Sequence, residues 1–297
     1  MAAAMFWGVS ATAAKSLLNQ QVDTILIVQS RVSFTCVLML VFFVTFKREV
    51  LRVKVRDLWM FALLGVIGVA GSNFTYYFTI KESTVATGIL IQYTAPLLVL
   101  GYGAVTKEEA FTFIKLVAAV VSLLGCFLAV GGYDLNVLRI TPLGLLTGIG
   151  STVCFAFLNI FIRHLLTRYG IWSVTFYSIA FASLFWLFVN PPWAIVAQSP
   201  SPGMWGALVV LAVVSILIPH SLYFNGLRYV VPSRAIITST LEPIVAIGSA
   251  SLLLGEYLQP VQLFGAVMVI IAILMLQIRG EPRESLPLIP QEKADAA

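Results

Sequence analysis

The stretch TSTLEPIVAIG, Thr238 to Gly248, sets a glutamate beside a proline inside an apolar run. An interior proline costs a soluble helix about 3 kcal/mol or more, because it removes a hydrogen bond and clashes with the carbonyl four residues back. In a membrane, a charged glutamate near the bilayer centre adds a further penalty. Such a segment persists only if its surroundings repay both.

The 297-residue chain is 60% hydrophobic and 10% charged, against about 25% charged in soluble domains. Its mean hydropathy is +0.97. This is the composition of an integral membrane protein. Apolar runs recur at the roughly 17 to 25 residues a spanning helix needs, and the weaker alternation of an outer-membrane barrel is missing. We expect an all-α membrane protein of ten transmembrane helices, at about 2–18, 23–46, 58–80, 84–105, 111–130, 141–165, 172–190, 204–227, 233–254 and 259–278.

The net charge of +5 forms no nucleic-acid patch, because the basic residues sort by loop. With the N-terminus in the cytoplasm, fourteen of the 18 basic residues fall on the cytoplasmic side: Lys47, Arg48, Arg52, Lys54, Arg56, Lys107, Lys115, Arg163, Arg168, Arg228, Arg234, Arg279, Arg283 and Lys293. Lys15, Lys81 and Arg139 fall on the other side. That asymmetry predicts both termini to be cytoplasmic. Cys36, Cys126 and Cys154 lie inside predicted spans without CxxC spacing, which supports no disulfide framework and no metal site. The opening MAAAMFWGVSATAA lacks the basic n-region of a signal peptide and is expected to be retained.

An internal repeat organises the chain. At an offset of about 147 residues Trp59 falls on Trp205, Tyr77-Phe78 on Tyr223-Phe224, Pro96 on Pro243 and Glu109 on Glu256. The identities are sparse but keep their order. Each half holds five predicted helices, and an odd number turns the second half over in the membrane. The expected organisation is one five-helix repeat over 1–135, a second, inverted repeat over 136–278, and a polar cytoplasmic tail over 279–297. Inverted repeats are the architecture of alternating-access transporters, with the solute site near the midplane where discontinuous helices meet.

Pro96 and Pro243 are the expected helix kinks, each breaking its span near the middle and freeing the carbonyls of Gln92 and Ser239. Irregular backbone at that depth is tolerated where it is buried or lines a cavity. Ala235, Ser239 and Glu242 recur at helical spacing and face the equivalent Gly88, Gln92 and Ala95. Glu242 is an intramembrane ionisable group with three open roles: binding an ammonium, exchanging a proton, or pairing with an internal base. Arg31 points nearly opposite to Gln29 on its helix, which reads as a structural residue that snorkels outward. His220 follows Pro219 in the eighth span and reads as a hydrogen-bonded packing residue, with proton coupling as the alternative role. Trp7, Tyr77, Tyr93, Phe155, Tyr177 and Tyr223 are aromatics at depth, and Asn73 and Asn159 share faces with Tyr77 and Phe155 at i, i+4. With Gln92, Ser239 and Glu242 they are the candidate substrate-binding residues of a pocket suited to an amphipathic organic solute. Glu109 and Glu256 lie thirteen residues past their prolines, roughly 20 Å along a helix, as candidate latch or helix-end residues at opposite membrane faces.

FWGVSATAAK in the first span, SRVSF in the second, TAPLLVLGYGAVTKEE across the fourth and LEPIVAIGSASLLLGE across the ninth resemble the recurring motifs of EamA-type members of the drug/metabolite transporter superfamily. The resemblance covers nearly everything before the tail. The fourth-span copy departs from the pattern, with Ala95 before its proline and Lys107-Glu108-Glu109 in place of Gly-Glu. The resemblance implies two inverted five-helix repeats exporting small metabolites. Within the family the chain is most similar to YddG-type exporters of aromatic amino acids. The expected function is export of amino acids, aromatic ones foremost, across a bacterial inner membrane, with drugs or other small metabolites as the alternative cargo. The expected partners are that small-molecule solute and membrane lipid, with no nucleic acid, no cofactor and no metal. An intramembrane enzyme lacks its motifs here: there is no HExxH and no phosphate-binding glycine loop. No ring of like charges argues for a channel.

Overall fold

The computed structural model describes residues 1–19, 22–134, 137, 138, 140–191, 193, 195, 201–255 and 257–278. Among them the secondary structure is helical, with no strand. The principal helices are α1 (Ala2–Asn19), α2 (Thr24–Phe46), α3 (Val55–Glu82), α4 (Val85–Thr106), α5 (Phe113–Ala129), α6 (Pro142–Leu166), α7 (Ile171–Val189), α8 (Pro202–Gly226), α9 (Pro232–Leu253) and α10 (Pro260–Ile278). Eight of them are long and apolar enough to cross a membrane. The others are α5, apolar but only 17 residues long, and the 18-residue α1. Glu256, Arg139 and the tail 279–297 lie outside the described residues.

Local chemistry marks the helix starts. The Asp23 carboxylate accepts from the backbone N–H groups of Ile25, at 2.6 Å, and Leu26. Thr84, Thr141 and Ser201 cap α4, α6 and α8 in the same way, satisfying N–H groups that have no partner inside the helix. Proline stands in the first turn of α6, α8 and α9, where its missing N–H costs nothing.

Four helices are irregular. α4 breaks at Tyr93-Thr94 and α9 at Thr240, each two to three residues ahead of its proline. α3 is π-helical from Leu64 to Gly71, and α8 from Val213 to Leu217. Pro219 leaves the Ser215 carbonyl without its α-helical donor, and a π turn moves the acceptor to the next N–H along. The sequence reading placed kinks at the two prolines and did not foresee the π turns. Their clue was the glycine-rich LGVIGVAG in one case and Pro219 in the other.

The helices pack so that α1 lies against α8 and α9, while α6 lies against α3 and α4. α2 packs on α7 and α8, α3 on α7, and α5 pairs with α10. Glycine makes the last contact possible: a Cβ on Gly265 would sit 2.5 Å from the Gly125 carbonyl oxygen, so the two backbones touch as small residues permit. The outward faces are apolar, including Val37, Val41 and Phe46 on α2, Leu146 and Ile149 on α6, and Leu263, Phe264 and Val267 on α10. A water-exposed protein does not display continuous apolar surface on this scale.

Candidate functional site

A cavity of about 130 Å³ lies where the irregular helices converge. It takes side chains from α1, α2, α3, α4, α6, α8 and α9, and none from α5, α7 or α10. The residues following the first π segment, Ser72 and Asn73, stand on its wall, as do Ser215 and Ile216 within the second. π turns are frequent at functional sites because they turn side chains out of register with the helix.

One pole of the cavity is acidic. Tyr93, at the break in α4, donates its hydroxyl to Glu242 Oε2 at 2.9 Å, and the same hydroxyl lies 3.2 Å from the Ser239 carbonyl oxygen. The one hydroxyl proton of Tyr93, on the facing helix, is therefore shared between the carboxylate and the carbonyl that Pro243 frees. The other pole is basic. Arg31 Nη2 donates to the Tyr77 hydroxyl at 2.7 Å, and its guanidinium carbon lies 5.8 Å from the centre of that ring. Arg31 is 9% exposed. It does not snorkel outward: α2 packs on α7 and α8 and turns this face inward, while Gln29 on the opposite face exchanges hydrogen bonds with Asn190. The relative facing of the two side chains was legible in the sequence; which of them met the cavity was not.

Between the poles the wall is aromatic. Trp7 lies 5.4 Å from the His220 ring and 5.2 Å from the Tyr223 ring, and His220 lies 5.7 Å from Phe224. Trp7 reaches this position because Gly8 brings α1 onto α9, where a Cβ would stand 2.7 Å from the Glu242 carbonyl oxygen. Gln92 Nε2 donates to Ser151 Oγ at 2.8 Å, and Asn73 Nδ2 to the Val69 carbonyl at 2.7 Å.

Of the candidate residues, Trp7, Asn73, Tyr77, Gln92, Tyr93, Phe155, Tyr223 and Glu242 line this cavity. Three do not. Asn159 is fully buried behind the wall, where it accepts a hydrogen bond from the Tyr223 hydroxyl and donates to the Phe155 carbonyl at 2.8 Å. Ser239 turns its hydroxyl to the Ile236 carbonyl at 2.7 Å. Tyr177 donates to the Leu51 carbonyl at 2.8 Å, beside the loop after α2. The expected facing of Ala235 with the α4 stripe is not found: Ala235 packs in the main core cluster, Ala95 in another with Ile236, and Gly88 faces Tyr76 and Ile80 of α3. Sequence reasoning missed Arg31, Tyr76, Ser215, His220 and Phe224 as lining residues. Tyr76 adjoins Tyr77 in sequence, and His220 follows the proline that marks the α8 irregularity.

A second polar cluster ties the loop after α4 and the first turn of α5 to the start of α9. Lys115 Nζ lies 2.8 Å from Glu109 Oε1, with the two side chains 1% and 4% exposed. The Ser233 hydroxyl donates to the same carboxylate, whose other oxygen receives the Ser233 N–H at 3.4 Å. A carboxylate at this helix N-terminus satisfies the partial positive charge there. Among the described residues no cluster of metal-ligating side chains occurs, and Cys36, Cys126 and Cys154 are free thiols.

The EamA-like transporter family matches the chain twice, over residues 1–131 and 142–278. The inner membrane transporter YicL of Salmonella typhimurium, named as uncharacterized, is 23% identical over 95% of this chain and 94% of its own length. The threonine/homoserine exporter RhtA of the same organism is 26% identical over 73% of this chain and 71% of its own. A solved crystal structure 18% identical in sequence superposes with a TM-score of 0.77, covering 92% of this chain and 93% of that one, which is a likeness of fold.

Proposed function

The chain belongs to the EamA-like transporter family and is a multi-pass membrane transporter, and within that family we propose that it exports amino acids by alternating access around the cavity between α4 and α9. The carrying observation is that Tyr93, at one helix break, donates to the carboxylate beside the other and lies 3.2 Å from the carbonyl there, directly at the cavity wall. Two broken helices joined through side chains can part without either one unfolding, as a site alternately opened to two sides requires.

The ten-helix arrangement in two inverted repeats, 1–135 and 136–278, belongs to the same proposal. It is supported by the twofold family match and by the contacts: α1 packs on α8 and α9 just as α6 packs on α3 and α4. The π turns and helix breaks also fall at equivalent places in the two halves. The basic loops support a reading with both termini in the cytoplasm, and the inner membrane is the compartment in the name of the relative YicL.

Amino acids are favoured by a wall that joins aromatic surface to fixed charge and by the name of the relative RhtA. Trp7, Tyr76, Tyr223 and Phe224 would meet an aromatic side chain ring to ring, which carries the YddG-like reading. The test is uptake of labelled phenylalanine, tryptophan and threonine into liposomes holding the purified protein, with and without a pH gradient. Saturable uptake of the aromatic pair over threonine is expected. Preference for threonine would overturn the aromatic reading alone. No flux of any of the three, in folded protein, would send the search to other metabolites. A response to the pH gradient decides whether a proton is coupled.

A further inference from the structure

We propose that Arg31 and Glu242 read the two ends of a zwitterion: Arg31 takes the carboxylate of the solute and Glu242 its ammonium. This rests on the amino-acid reading above and assigns its specificity to two side chains.

A guanidinium stays charged in a protein, and burying it without a counter-charge is costly. Yet among the described residues no acidic group lies within ion-pairing distance of Arg31. Among the described residues its one hydrogen bond is to a neutral phenol, Tyr77, and its buried Nε has no partner. Ser215, on the same cavity wall, also has a buried hydroxyl without a partner. These are donors waiting for an acceptor. Glu242 accepts from Tyr93 and makes no salt bridge among the described residues, although a carboxylate has room for several donors.

Both charges open onto one cavity, and each is held by its own tyrosine from a different helix. Had they met, each would have satisfied the other and the cavity would present no net recognition. Held apart, they offer an anion site and a cation site to one molecule. A simple amine would satisfy Glu242 and leave Arg31 unpaired, and a simple carboxylate would do the reverse. An α-amino acid, carrying both groups on one carbon, satisfies both, and its side chain is left to the aromatic wall.

The test is inhibition of labelled phenylalanine counterflow in liposomes of the full chain. The competitors are phenylalanine, phenethylamine, which lacks the carboxylate, and 3-phenylpropanoate, which lacks the ammonium. Should threonine be the solute that enters, threoninol and 3-hydroxybutanoate take those places. Wild-type protein is expected to prefer the amino acid at least about tenfold over either analogue, the size of one lost charged hydrogen bond. Arg31→Gln should erase the preference over the amine while keeping that over the acid, and Glu242→Gln should do the opposite. Arg31→Lys, which keeps the charge but loses the fork, should retain a reduced preference for the carboxylate. Size-exclusion profiles in detergent monitor folding. If Arg31→Gln does not fold, the wild-type selectivity and the lysine variant decide. Wild-type protein that enters amino acids but treats the amine equally, or an Arg31 variant with unaltered selectivity, overturns the assignment alone. Wild-type protein that handles no amino acid overturns the amino-acid reading and this one with it.

Discussion

The hydroxyl of Tyr93 bridges to Glu242, donating to its carboxylate at 2.9 Å while lying 3.2 Å from the carbonyl oxygen of Ser239. One side chain therefore holds the break in α4 against the break in α9, at the edge of the cavity.

Tyr93→Phe removes that hydroxyl and nothing else. A hydrogen bond to a charged group contributes about 1.5–3 kcal/mol, so solute affinity should fall roughly tenfold to a hundredfold. Counterflow titrations of the two proteins check this. Equal affinities would show that the bond does not organise the site.

Pro243→Ala supplies an N–H that can reach the Ser239 carbonyl, in competition with Tyr93. The helix should straighten, thermal stability in detergent should hold or rise, and transport should fall. Full transport by a protein at least as stable would mean that the break is only a packing feature.

Gly8 allows α1 to touch α9. A Cβ there would stand 2.6 Å from Val245 Cβ, whereas one on Gly248 meets nothing within 4 Å. Gly8→Val is expected to lose about 1–3 kcal/mol through overpacking and to displace Trp7 from the cavity wall, with loss of flux. Gly248→Ala should stay within about 0.5 kcal/mol of the wild type. Melting curves and flux for both variants test the contrast.

Glu109 and Lys115 form a buried pair whose single disruption should be severe. Glu109→Gln or Lys115→Met alone is expected to cost about 3–5 kcal/mol, and the double variant should recover much of it. A double-mutant cycle on melting temperature measures the coupling. Additive losses would show that the pair is not an energetic unit.

The prolines, Glu242 and the helix spacing were readable because each violates or obeys a rule local to the chain. A span has a minimum length, so apolar runs located α2, α4 and α9 to within a few residues. A proline breaks its own helix wherever that helix packs. Tyr77, Tyr93 and Trp7 were readable as deep aromatics because depth follows from position along a span. Arg31 was not, because rotation of α2 about its axis is set by α7 and α8. The same limit applies to Tyr177, which the sequence offers as another deep aromatic but which is drawn to the Leu51 carbonyl of a distant turn.

By itself the amino-acid sequence determined the membrane class, the helices and the two proline breaks, since all follow from hydrophobic length and from backbone chemistry within one segment. Only the tertiary structure decided that Arg31 and Glu242 share a cavity without pairing, that Tyr93 spans two helices, and that Glu109 is buried beside Lys115. Those relationships depend on how separate helices rotate and meet, and that is settled by packing between residues up to 200 or more positions apart.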